Sequence, residues 1–196
     1  MSDLEQARKQ EIRYQVLVAL DSERPGFVSE AVLQRACKLQ PSQEELRREL
    51  LYLKQRGLIE IAGSVEKIAS LLAPGVDLLE GNSASLAGLL ILDDRLSPTE
   101  IERRKEIRWR LLRVADISRP IAISESLAQR ALHDVSFVLS QKDVRRCAVY
   151  LEQTGLLEIS RSHPKDWNFQ PTADGVDVCE YVAACPPGVA RPEKYW

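Results

Sequence analysis

The chain has 196 residues, 44% of them apolar and 29% charged, with a formal net charge of −2 and a calculated pI of about 5.8. That is an ordinary globular balance, far from the strongly basic composition of a chain devoted throughout to nucleic acid. No apolar run approaches the roughly 20 residues that a membrane-spanning helix needs, and the polar, acidic opening MSDLEQARKQ reads as neither secretory signal nor transit peptide. The expectation is a cytoplasmic protein with no membrane partner.

In chain order, almost everything occurs twice. Ser2 and Ser97 stand three residues before Glu5 and Glu100, the spacing of a capping box that opens a helix, with Pro98 at the first helical position of the second copy. Ile12, Val16, Leu17 and Leu20, and later Ile107, Leu111 and Leu112, make an apolar stripe at helical spacing. RPGFV and RPIAI break that helix and leave a short extended segment. Ser29 and Ser124 are read as caps of a second, short helix, Ser42 and Ser140 as caps of a third. In the third, Leu46, Leu50 and Leu53, matched by Val144, Ala148 and Leu151, face the core, and Gly57 and Gly155 end the helix in a left-handed stop.

Two apolar segments separated by a polar turn then predict a hairpin, tight around Gly63 and Ser64 in the first copy, longer in the second, where it carries Arg161, His163, Lys165 and Trp167. A closing helix begins near Pro74 and near Ala173. The copies align at an offset of 95 through the first two helices and 98 through the third helix and first strand. At an offset of 100, GVDLLE faces GVDVCE. An offset that grows only at turns is the mark of a duplicated domain.

The expected fold is mainly α with short β-hairpins: two tandem winged helix-turn-helix domains, at residues 1–81 and 98–196. Residues 82–97 form a linker whose apolar part, 86–92, is expected to pack between the domains or to serve self-association. The Pro-rich tail is read as folding back over the second domain, burying Tyr195 and Trp196; the alternative is an arm that docks on a partner.

Several function classes find no support. Cys37, Cys147, Cys179 and Cys185 show no paired spacing, and His133 and His163 have no partner at ligand spacing, so reduced thiols and no metal are expected. Phosphate-binding glycine loops, zinc-hydrolase motifs and nucleophile motifs are missing from the sequence, which argues against an enzyme, a cofactor or a small-molecule substrate.

Double-stranded DNA is the partner that the fold suggests, through the third helix and the wing. Residues 1–81 carry 11 basic against 13 acidic side chains, and residues 103–196 carry 15 against 12, so basicity lies in the second copy. The first copy's third helix opens SQEELRRE, with Glu44, Glu45 and Glu49 set to repel phosphate; its counterpart opens SQKDVRRC. The candidate DNA contacts are therefore Gln141, Lys142, Arg145 and Arg146 on the helix, with Arg161 and Lys165 on the wing. The competing reading is a non-catalytic protein-protein adaptor, in which the repeated Arg-Arg belongs to a solvated helix face.

The runs LEQTGLLEI, PTADGVDVCEY and PPGVARP resemble a family of small winged-helix proteins of unknown function from Mu-like phages and prophages. The likeness lies in Gly-Leu after the third helix, a Thr-x-x-Gly-x-Asp-Val closing helix and a Pro-Gly-Val-x-Arg-Pro tail, and covers residues 107–192 best. It implies a phage or prophage setting and brings no activity or functional residues with it; with the fold, the expectation is a DNA-binding regulatory or nucleoprotein-assembly factor. This chain departs from that family in carrying two domains.

Overall fold

The structure, a computed structural model, describes residues 3–63, 67–82, 96–134 and 138–194. It divides into two compact units, Met1–Leu96 and Ser97–Trp196. Expectations for Ser2, for the turn at Ser64, for the apolar segment 86–92 and for Tyr195 and Trp196 lie outside the described residues.

The first unit runs α1 (Asp3–Glu23), β1 (Val28–Ser29), α2 (Glu30–Ala36), α3 (Gln43–Gln55), β2 (Ile59–Ala62), β3 (Ile68–Leu71) and α4 (Ala73–Leu79). The second repeats the order with α5 (Pro98–Ile117), β4 (Ile123–Ser124), α6 (Glu125–Asp134), α7 (Gln141–Gln153), β5 (Leu157–Ser160), β6 (Asn168–Pro171) and α8 (Ala173–Cys179). Each unit is mainly helical with one small antiparallel sheet, ordered β1-β3-β2 and β4-β6-β5. The two registers match residue for residue: Val28 faces Ala69 and Ile59 faces Leu71, as Ile123 faces Phe169 and Leu157 faces Pro171.

Each first helix is central because its apolar stripe is wide enough to serve several partners. Ile12, Val16, Leu17 and Leu20 are buried in α1, and Ile107, Leu111 and Leu112 in α5; the third helices and strands close over them with Leu46, Leu50 and Leu53, or Val144, Ala148 and Leu151. Both third helices end as the glycines require. Gly57 and Gly155 take φ of +69° and +76°, and the residue after each donates its N–H back to Leu53 O and Leu151 O, satisfying carbonyls that the helix leaves open. The repeated GVD has a steric cause. A Cβ on Gly75 or Gly175 would stand 2.6 Å from Leu58 O or 2.1 Å from Leu156 O, so only glycine lets the closing helix seat against the strand entry.

The caps differ in detail from the sequence reading. Ser42 and Ser97 accept from the N–H three residues on, and Ser140 with Asp143 forms a complete capping box. Ser124 Oγ accepts from Leu127 N, but Ser29 occupies the cap position without a side-chain bond. The Glu100 carboxylate does not return to the Ser97 backbone as a box would have it. It is drawn along the helix to Arg103 and Arg104, where two guanidinium groups outbid one amide.

The tail does fold back over the second unit. Ala190 N donates to Lys105 O, Arg108 Nη1 to Gly188 O, and Arg191 Nη1 to both Val178 O and Ala183 O, while Val189 is buried. Cys37, Cys147 and Cys179 are buried free thiols and Cys185 is half-buried. Burial pushes the Cys37 and Cys179 thiols up to about 11. Among the described residues no helix is long and apolar enough to cross a membrane, and no group of His, Cys, Asp and Glu is arranged to hold a metal ion.

Candidate nucleic-acid interface

The basic residues around α7 are organised by an acid. Glu125, the first residue of α6, is fully buried, yet it lies where the chain leaves β4 and meets the N-terminal turn of α7. An ionised carboxylate taken out of water needs donors, and four arrive. Arg145 grips it in a fork, Nε to Oε1 at 2.8 Å and Nη2 to Oε2 at 2.9 Å; Gln141 Nε2 donates to Oε2 at 3.0 Å and Trp167 N at 3.3 Å.

The same side chains hold the wing, residues 161–167. Gln141 Nε2 also donates to Lys165 O at 2.7 Å, and Arg145 Nη2 to Pro164 O at 3.0 Å. The ring of Trp167 lies against two guanidinium groups, that of Arg145 at 4.4 Å and that of Arg161 at 4.9 Å. Asp166 fastens the wing to α6, its two oxygens accepting from Ser126 N at 3.0 Å and Ser126 Oγ at 3.1 Å. Wing and helix are thus one block.

Of the six residues picked out in the sequence, three serve this block. Gln141 and Arg145 are spent on Glu125 and the wing backbone. Arg161 is paired with Glu152, which with its hydrogen bond holds the guanidinium charged. Of the other three, Lys142 and Lys165 are exposed and Arg146 is half-buried one turn along α7. Glu125 is engaged by Arg145, Glu152 by Arg161 and Asp166 by Ser126. Burial would raise the Asp143 carboxyl, but hydrogen bonds from the Ser140 side chain and backbone, with the charges of Arg146 and Arg103, hold it below its ordinary range.

The first unit shows what of this is architecture. Arg47 forks onto Glu30 at 2.7 and 3.0 Å, so the pair Glu30–Arg47 is the same bolt as Glu125–Arg145. What it lacks is the cover: the Arg47 side chain is 45% exposed where Arg145 is 20% exposed. The longer second wing accounts for the difference. Sequence reasoning missed Glu125 and Glu30 because each partner lies far along the chain. The available signal was an acid recurring at offset 95, two residues after an apolar strand position.

Compared with protein-family models, with curated proteins and with solved structures, the chain has no match.

Proposed function

We propose that the chain is a tandem winged-helix protein that binds duplex DNA through its second unit, with Lys142 and Arg146 of α7 and Lys165 of the wing on the phosphates. The observation that carries this reading is the bolted wing. Glu125, Gln141 and Arg145 fix a basic loop against the N-terminal turn of the third helix. A surface held rigid before binding loses little entropy on docking. Gln141, Arg145 and Arg161 are supports of that surface and not its contacts. The element order, helix, strand, two helices, hairpin and helix, supports the winged-helix reading, and the phage-like runs of the second copy support a regulatory or assembly role on phage DNA.

The test is titration of a labelled duplex with the full chain across salt. Three phosphate contacts give a slope of about −2.7 in log K against log salt, hence about 40-fold weaker binding at 200 mM than at 50 mM. Lys142→Ala, Arg146→Ala and Lys165→Ala should each flatten that slope by about 0.9, whereas Arg48→Ala in the first unit should leave it unchanged. No binding at 50 mM salt refutes the proposal.

A further inference from the structure

The outer face of α5 carries a run of charges whose partners lie on the same helix, Glu102 with Lys105, Glu106 with Arg110 and Arg113 with Asp116. Glu102, Glu106, Arg110 and Arg113 follow one another along it, two acids and then two bases, with side chains between 38 and 65% exposed. They edge a groove of about 460 Å³ floored by Trp109, Val114 and Leu132 and walled by Ala190 and Pro192 of the tail. At the basic end Ile117 is 73% exposed.

The duplication supplies a control. An equivalent groove of about 260 Å³ lies on α1, lined at matching positions by Glu11, Tyr14, Gln15, Val18 and Ala36. There Ala7 stands for Glu102, Gln15 for Arg110 and Val18 for Arg113. The helix packs in the same way without the pattern, so folding does not account for it.

A helix whose acids precede its bases on one face is complementary to itself in the antiparallel direction. We propose that this face of α5 is the docking surface for a second copy of the chain, in a two-fold pair. An axis crossing the helix at the height of residue 108 sets Glu106 opposite Arg110 of the second copy and Glu102 beside its Arg113. The same contacts recur with the roles exchanged, as an isologous interface demands. In the single chain Arg110 is paired within its own helix to Glu106 and Arg113 to Asp116. The Arg110–Glu106 pair is exposed and exchanges readily for partners across an interface. The grooves with Ile117 beside them supply the apolar part. This surface lies on α5, and the inference stands whether or not α7 binds DNA.

Sedimentation of the full chain over a hundredfold concentration range decides it. The wild type should form a reversible dimer that salt weakens. Glu102→Arg with Glu106→Arg, or Arg110→Glu with Arg113→Glu, should each set like charges together and raise the dimer Kd by about 100-fold. An equal mixture of the two reversed chains should form a heterodimer with all four pairs restored. The neutral variant Glu102→Gln with Glu106→Gln, which keeps the helix face uncrowded, should fall between. A wild type that stays monomeric overturns the proposal, and so does a dimer that neither reversal nor neutralisation weakens, or a mixture that stays monomeric.

Discussion

Arg108 is 1% exposed, and one of the acceptors that hold its charge there lies 80 residues away. In the first unit the matching Arg13 has its counter-charge at hand, Glu49, with Nε to Oε2 at 2.5 Å, and lies 3.6 Å over the Tyr52 ring. In the second unit Arg108 keeps the ring, Tyr150 at 4.0 Å, but Cys147 stands where Glu49 was. The tail supplies Gly188 O at 2.9 Å in its place. Ending the chain after Ala184 removes that acceptor, a charged hydrogen bond that contributes about 1.5–3 kcal/mol. It also removes buried Val189, for another 1.5 kcal/mol or so. Water reaching the guanidinium recovers part of the first quantity, so the expected loss is about 3 kcal/mol, a large share of a domain's stability. Cys147→Glu makes the test specific. In the shortened chain it restores the first unit's pair and should recover 1–2 kcal/mol or thereabouts, while in the intact chain it forces a carboxylate into a filled site and should destabilise. Calorimetry and urea unfolding of the four chains give the coupling directly. A Cys147→Glu effect of the same sign and size in both backgrounds would refute the reasoning, as would a shortened chain as stable as the intact one.

Two further outcomes follow from the ion pairs. Glu125→Gln leaves the half-buried Arg145 without its carboxylate and should cost about 2–3 kcal/mol, below the range for a fully buried pair, with altered Trp167 fluorescence as the wing loosens; Glu30→Gln should cost less, because Arg47 is the more exposed partner. Equal losses by urea unfolding would contradict the role given to the wing. Stability should also fall in acid. The hydrogen bond from Arg8 holds the Glu45 carboxyl below its usual range against the opposing effect of burial, and Asp143 is likewise depressed despite burial. A depressed folded pKa means stabilisation that is complete above the unfolded value and lost as pH falls through the folded one. Melting temperature should therefore hold down to pH about 4.5 and decline below it, and Asp143→Asn should flatten that decline.

The helices, their order, their stops and the core stripe were legible in the sequence because each rests on spacings of three or four residues. The side-chain partners were not. Arg145 and Arg146 look alike in the string RRCAVY, yet their places around the helix axis differ by one residue's turn, which puts the first against Glu125 and the second within the field of Asp143. Gln141, in the sequence a candidate groove or phosphate contact, donates to both a buried carboxylate and a wing carbonyl. The acids argued from sequence to weaken the first copy as a DNA surface also have internal duties: Glu45 holds Arg8 and Glu49 holds Arg13.

Duplication separates these roles more sharply than either copy could alone. A residue that repeats with its contact intact belongs to the architecture. Gln34 and Gln129 both donate to the carbonyl that leads into the third helix, at 2.9 and 2.7 Å, and Arg24 and Arg119 both pair with an acid three residues before them. The first arginine of each Arg-Arg pair belongs in that class. A residue that changes while its neighbours hold marks a place where one unit has taken on something the other lacks. Glu49 to Cys147 hands Arg108 to the tail. The longer hairpin covers Arg145 and carries Lys165 up to α7. Val18 to Arg113 and Gln15 to Arg110 put charge on a helix face that packs equally well without it. All three changes fall in the second unit, and they set its tail, its wing and its α5 face apart from their counterparts in the first.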